Sequence, residues 1–242
     1  MPKFIQISLL TIFSLFLYTN VFSQDVLYEE SFTDGATTVD WFSAWNDSVG
    51  NPLTSMVALN ETGPTDNWIG AVTGDTSTLV SLGSALGGSS DLANYSVEAD
   101  VYVELNNTYY NGLMLRADTT EKVTGYQFVA NFYAPYGSQK VRLRYFSQIQ
   151  SEIRVLAEIQ AADLPGGAPS EDGWHKMKVK AVGNKFWLYW DDQEINGSPF
   201  TDPEEAKSEG YFGVYVWDAF ATTPPMVKVD NIVVREEGVY KE

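Results

Sequence analysis

Charged, amide and aromatic side chains alternate with apolar ones along residues 95–104, 112–117, 126–132 and 140–146. Successive side chains of a β-strand point to opposite faces, so in each segment the apolar residues would share the core face. The opposite face would carry the polar set, namely Glu98, Asp100, Tyr102, Arg116, Gln127, Asn131, Arg142 and Arg144. These residue types are able to bind hydroxyl-rich ligands, because such ligands need bidentate Arg and carboxylate partners beside an aromatic plane.

Two interpretations of this polar surface are open if the four segments form adjacent strands, as consecutive strands usually do. The first is a sugar-binding site. The second is a solvated sheet face with cross-strand ion pairs, each contributing only about 0.2 to 1 kcal/mol. The residues alone do not separate the two interpretations.

Few residues in the chain could perform catalysis. The sequence has no cysteine and one histidine, which excludes thiolate nucleophiles, disulfides and multi-histidine zinc sites. His175 shares a strand face with Met177 and Val179, which favours a structural role over that of a general base. Glu98 and Asp100 could meet the separation of about 5 to 9.5 Å that a glycosidase carboxylate pair requires.

The charge balance limits the partners. The chain has 32 acidic and 15 basic side chains, a formal net charge of −17, which disfavours nucleic acid and anionic lipid. Neutral partners and divalent cations are favoured. Glu30 and Asp34 near the first strand and Asp230 in the last strand would come together if these strands pair, and such oxygen ligands suit a structural calcium site. The alternative interpretation is that they are ordinary surface acids of an acidic protein.

The elements around these residues are predicted to be almost entirely β-strands. Fourteen short runs of period two are separated by Gly, Asn, Asp and Pro, and only residues 203–207 favour a helical turn.

Residues 1–23 combine a lysine, an apolar run and a small-residue ending, which predicts a cleaved secretory signal and a secreted, periplasmic or cell-surface protein. No linker divides residues 24–242, so one domain and a monomer without membrane insertion are expected.

Several sequence motifs in order along residues 26–235 resemble the concanavalin A-like lectin/glucanase superfamily, in particular its laminin-G-like and 3-keto-disaccharide-hydrolase-like branch. The motifs are Leu27-Tyr-Glu-Glu-Ser-Phe-Thr-Asp-Gly35 with Trp41 and Trp45, Ser96-Val-Glu-Ala-Asp-Val, Gly112-Leu-Met-Leu-Arg116, Gly125-Tyr-Gln-Phe, Trp174-His-Lys-Met-Lys-Val, Gly210-Tyr-Phe-Gly and Val229-Asp-Asn-Ile-Val-Val234.

This resemblance implies an all-β fold, a two-sheet antiparallel β-sandwich of the jelly-roll type, whose concave sheet face binds a polysaccharide and whose ends are sometimes joined by calcium. Arg116 and Asp230 are the two positions to which the resemblance assigns a role by analogy with the family. The carboxylate cluster of the related glucanases, Glu-x-Asp-x-Glu or Glu-x-Asp-x-x-Glu, is interrupted, since Tyr102 and Val103 stand where the last glutamate would be. A non-catalytic carbohydrate-binding module is therefore the first hypothesis. A glycoside hydrolase or polysaccharide lyase is the second, and a protein-binding or structural role, marked by a large apolar patch, is the third.

Overall fold

A computed structural model describes residues 24–44, 56–74, 81–107, 109–136, 139–218 and 226–238. The predicted signal segment 1–23 and Trp45 lie outside these residues. Three short 3-10 helices in the described part span Thr33–Gly35, Ala134–Tyr136 and Ala161–Asp163. The strands are β1 (Val26–Glu30), β2 (Phe42–Ser43), β3 (Met56–Leu59), β4 (Ile69–Thr73), β5 (Ser81–Gly87), β6 (Tyr95–Val103), β7 (Tyr110–Asp118), β8 (Thr124–Asn131), β9 (Lys140–Ser147), β10 (Glu152–Gln160), β11 (Gly173–Val182), β12 (Lys185–Trp190), β13 (Gln193–Glu194), β14 (Phe200–Thr201), β15 (Tyr211–Asp218) and β16 (Met226–Glu236).

The strands form two antiparallel sheets, which confirms the all-β prediction. The first sheet has the order β13-β12-β11-β6-β16-β4-β3, with β1 added beside β16 and β14 beside β12. The second sheet has the order β10-β9-β8-β7-β15-β5-β2. The fourteen predicted runs all correspond to strands, and the two short strands that sequence reasoning missed, β13 and β14, have only two residues each.

The core lies between the two sheets and is built from the alternating apolar residues. Val97 and Val101 of β6 face Leu113 of β7 and Phe128 of β8 within one fully buried cluster. The ring of Phe32 occupies the space above Gly70, where an added Cβ would lie 2.2 Å from the ring. The inward assignments for these strands are therefore confirmed.

The assumption that β6, β7, β8 and β9 are neighbours is wrong. β6 lies in the first sheet between β11 and β16, whereas β7, β8 and β9 are adjacent in the second sheet. A strand shows the same alternation whether its successor pairs beside it or packs opposite it across the core, so the pattern could not distinguish these arrangements. The polar residues of β6 therefore lie on a different outer surface from those of β8 and β9.

The helical turn predicted at residues 203–207 is also not formed, since the structure has only turns there. The side chain of Asp202 accepts hydrogen bonds from the backbone N–H groups of Glu204 and Ala206, which fixes a non-helical loop. No helix within the described ranges is long and apolar enough to cross a membrane.

Candidate functional site

The structure divides the eight predicted ligand-binding residues among three places. Glu98, Asp100 and Tyr102 lie on the outer face of the first sheet, and Arg116 is enclosed at one end of the sandwich. The remaining four lie on the outer face of the second sheet, where strand pairing sets them in adjacent rows: Gln127, Asn131, Arg142 and Arg144. The eight residues therefore do not form one site.

Arg116 is held by backbone carbonyls, not presented to a ligand. A β-bulge in β7 gives it a positive φ of 49°, which breaks the alternation and turns its side chain off the outer face. Its guanidinium donates to the carbonyls of Ala93 at 2.7 and 3.0 Å, Gly183 at 2.7 Å and Lys207 at 3.1 Å. Burial lowers the pKa of Arg116. The geometry assigns it a structural role, which corrects its predicted place in a polar ligand-binding face.

The outer face of the first sheet is a network of ion pairs. The Lys176 ammonium lies 3.6 Å from Glu98 and 3.9 Å from Asp100, and Lys178 also lies 3.6 Å from Glu98. The ring of Tyr102 contacts the Trp174 ring edge-on at a centroid distance of 5.3 Å. This surface matches the solvated, ion-paired face that the sequence left open as one interpretation.

The outer face of the second sheet contains a buried arginine between two tyrosines. Arg144 is 3% exposed, and its guanidinium lies 5.4 Å from the ring centre of Tyr110 and 5.5 Å from that of Tyr215. Its Nε atom donates to Gln127 Oε1 at 2.8 Å. Burial lowers the pKa of Arg144 and raises that of Tyr215. This arrangement fixes a planar cation beneath an aromatic surface.

Arg144 also forms part of the wall of a cavity of about 270 Å³, which we call the Arg144 cavity. Its apolar wall comes from three strands of the second sheet: Phe146 on β9, Ile153 on β10, and Tyr215 and Trp217 on β15. Ile153 is 54% exposed. The Tyr110 ring, 5.3 Å from that of Trp217, extends the aromatic surface beside the cavity. The cavity therefore combines exposed apolar planes with a fixed cation, as ligand sites commonly do.

Sequence reasoning missed Tyr110, Tyr215 and Trp217. The signal was present in residues 211–217, where Tyr211, Gly213, Tyr215 and Trp217 alternate with apolar residues and so share the outer face. The strand was treated as core structure because it lies far along the chain from the polar segments. Its place beside β7 is known only from the sheet order.

The other predicted residues of this face lie at the far end of its rows. Lys140 and Arg142 both pair with Glu158, at 2.9 and 2.7 Å, and the hydrogen bond from Lys140 lowers the pKa of that carboxylate. Asn131 donates to the carbonyl of Tyr109 and accepts from the N–H of Tyr133, so it fixes two loop ends. Arg142 and Arg144 both lie against the Tyr110 ring, which connects this end with the Arg144 cavity.

The three residues of the predicted calcium site are placed differently from one another. The first and last strands pair, as expected, but the Glu30 carboxylate is fully buried and accepts hydrogen bonds from three backbone N–H groups and the Trp41 indole. Asp230 bonds to Thr65 and to the N–H of Asn231, and burial raises its pKa. Asp34 lies in the first short helix. Among the described residues, no three acidic, histidine or cysteine side chains form a group able to hold a metal ion.

The candidates for acid–base chemistry lie away from the Arg144 cavity. Glu98 and Asp100 share lysine partners on the opposite sheet, and His175 bonds to Asp191 at 2.9 Å while it stacks on the Trp190 ring. Glu152 is the one carboxylate among the described residues that line the cavity. A pair of carboxylates, which glycoside hydrolysis ordinarily needs, is therefore not found among those residues.

Comparison with known proteins supports the fold but not a specific activity. No protein-family model and no curated protein matches the sequence. The chain is similar to a family 66 carbohydrate-binding module from Bacillus subtilis, with a TM-score of 0.53 and 18% identity over 81% of this chain and 95% of that one. It is similar to domain 4 of an extracellular arabinanase from Geobacillus stearothermophilus, solved with arabinotriose, with a TM-score of 0.51 and 10% identity over 89% and 94% of the two chains.

A third similar structure is a glycoside hydrolase family 16 endo-glucanase from Bacteroides ovatus, with a TM-score of 0.54 and 11% identity over 86% of this chain and 99% of that one. At these identities the likeness concerns the fold. The two-sheet sandwich is thus a concanavalin A-like jelly roll, a fold that both carbohydrate-binding modules and glucanases use.

Proposed function

We propose that this concanavalin A-like jelly roll is an exported, non-catalytic carbohydrate-binding protein that binds a polysaccharide at the Arg144 cavity. The observation that carries the proposal is the combination of exposed apolar planes with a buried, oriented Arg144–Gln127 pair on one sheet face. The predicted signal segment motivates the export, and the similar binding modules motivate the ligand class.

The chemistry of sugars fits this surface. A pyranose ring presents an apolar face of C–H groups and a rim of hydroxyls, so it needs a flat apolar partner beside directional donors and acceptors. Trp217 and Tyr110 supply the aromatic planes, and their rings are adjacent. Arg144 lines the cavity, and its bond to Gln127 holds its donors in a fixed position. Fixed side chains reduce the entropy that binding must overcome.

The non-catalytic part of the proposal rests on the carboxylates. Glu152 lines the cavity, and its nearest cationic atom is Nη1 of Arg154 at 3.5 Å. The glucanase-like pair Glu98 and Asp100 lies on the other sheet beside lysines. A glycosidase of the usual two-carboxylate type would need a second acid at the cavity. Release of reducing sugars or unsaturated products from a polysaccharide panel would contradict this part of the proposal and leave binding intact.

We expect that replacing Trp217 with alanine weakens polysaccharide binding about tenfold or more, because buried aromatic anchors dominate binding energies. Affinity electrophoresis of residues 24–242 in gels containing each polysaccharide measures the effect. The matched control is Trp174→Ala on the outer face of the first sheet, where the ring is also half-buried and contacts a tyrosine. Loss of binding in Trp174→Ala, with Trp217→Ala unchanged, would move the site to the first sheet.

Calcium binding stays a prediction, and of its three predicted ligands we choose Asp230 for the test. Glu30 is engaged by N–H donors, whereas burial raises the pKa of Asp230, and the nearby carboxylates of Asp66 and Asp100 add to the effect. A cation there would offset this repulsion. We expect calcium to raise the melting temperature of the wild type and not that of Asp230→Asn. Equal melting curves for the wild type with calcium and with EDTA would exclude the site.

A further inference from the structure

The chain has two buried arginines, among the residues that the structure describes, and they differ in how their charge is satisfied. Arg116 is 1% exposed and donates four hydrogen bonds to three carbonyl oxygens. Arg144 is 3% exposed, and its hydrogen-bond partners are two neutral groups, the amide oxygen of Gln127 and the hydroxyl of Tyr215. A buried cation without an anion or several carbonyls is costly, so proteins rarely leave one in that state without a functional reason.

Two donor atoms at this place have no well-aligned hydrogen bond among the described residues, although the Tyr215 hydroxyl lies beside both side chains. They are Nη2 of Arg144 and Nε2 of Gln127, both almost completely buried. Because the other end of the Gln127 amide accepts from Arg144, the two side chains form one rigid unit. The tyrosine rings on either side favour the cationic guanidinium but supply no negative charge. The unit therefore presents donors that an anionic oxygen would satisfy best.

The acids near Arg144 are engaged elsewhere. Glu158 binds Lys140 and Arg142, and Glu152 lies 3.5 Å from Arg154. Arg154 in turn binds the buried Asp202. Neither glutamate forms an ion pair with Arg144, so neither neutralises the cation beside the cavity. In a chain that carries −17, Arg144 is thus a buried cation held by neutral partners.

From these contacts we infer that the Arg144 cavity binds a sugar residue bearing a carboxylate or a sulfate ester, with the anionic oxygens at the Arg144–Gln127 pair. The inference rests on the proposed function and names its ligand class. The half-buried ring of Trp217 then contacts the sugar ring that carries the acid.

Two matched pairs of polymers test the ligand class. Polygalacturonate and its fully methyl-esterified form differ in the carboxylate, and carrageenan and its chemically desulfated form differ in the sulfate. Affinity electrophoresis of the wild type at constant ionic strength is expected to show at least tenfold tighter binding to the anionic member of one pair. The pair that shows the preference identifies the acidic group.

Variants then assign the preference to Arg144. In Arg144→Gln we expect the anionic preference to fall below about threefold while binding of the uncharged polymer persists. Arg235→Gln removes one positive charge from β16 in the first sheet and should keep the full preference. Melting curves of each variant show whether it is folded, and the wild-type comparison stands without the variants.

Equal affinity of the wild type for both members of both pairs would overturn the inference and leave the proposed function in place. The inference would also be wrong if Arg144→Gln folded and kept the full preference. Failure of the wild type to bind any of the four polymers or neutral polysaccharides would overturn the proposed function together with the inference.

Discussion

Replacing Arg116 with methionine is expected to lower the free energy of unfolding by about 3 to 5 kcal/mol, because buried groups that lose a charged partner cost this much. The methionine would fill similar volume but leave the carbonyls of Ala93, Gly183 and Lys207 without their donor. These carbonyls belong to three separate segments, so the Arg116 side chain connects those segments at one end of the sandwich. Urea denaturation followed by tryptophan fluorescence measures the loss.

The matched control for Arg116→Met is Arg235→Met, which removes a half-buried guanidinium from the first sheet and should change stability by less than about 0.5 kcal/mol. Polysaccharide binding by the folded fraction of Arg116→Met should equal that of the wild type, because Arg116 does not line the Arg144 cavity. A variant with wild-type stability that had lost binding would return Arg116 to the ligand site.

The strands and their faces were predictable because alternation is a local property. In β6, β8 and β9 the same residues that alternate in the sequence form the core in the structure, for example Val101, Phe128 and Leu143. The sheet order is not local. The loop after β6 crosses to the other sheet, and no residue pattern in β6 or β7 records whether the next partner lies beside the strand or across the core.

Three features of the site depend on contacts between distant segments, and the sequence pattern does not record such contacts. The bulge at Arg116 depends on a positive φ that a non-glycine residue adopts under tertiary constraint. The neighbour of β7 is β15, about 100 residues later, so the aromatic half of the site could not be joined to Gln127 and Arg144 by reading along the chain. The Glu30 carboxylate accepts hydrogen bonds from the N–H groups of Thr38 and Val39 because the loop after β1 returns to the end of that strand.

Asp202 connects a surface loop to the second sheet through a fully buried carboxylate. One oxygen accepts from Arg154 at 3.0 Å and from the N–H of Glu204, and the other accepts from the Tyr126 hydroxyl at 2.6 Å and from the N–H of Ala206. Burial raises the pKa of Asp202, but these hydrogen bonds and the charge of Arg154 outweigh it and lower the pKa overall. The folded protein therefore favours the ionised carboxylate.

The Asp202→Asn variant is expected to lose about 1 to 3 kcal/mol of stability at pH 7, since the amide cannot accept at both ends and leaves buried donors unsatisfied, while Arg154 keeps its ion pairs with Glu152 and Glu204. The pKa of Asp202 is lower in the folded than in the unfolded chain, where it is about 3.9. Its contribution is therefore complete above about pH 5 and is lost as the pH falls through the folded-state pKa.

The difference in stability between the wild type and Asp202→Asn should consequently shrink as the pH is lowered from 7 toward 3. Urea denaturation of both proteins along this series measures it, with Asp163→Asn, an exposed acid in the third short helix, as the control that should follow the wild type at every pH. A difference that stayed constant down to pH 3 would show that the stabilisation comes from the shape and hydrogen bonds of the side chain. In that case the stabilisation would not come from the negative charge of Asp202.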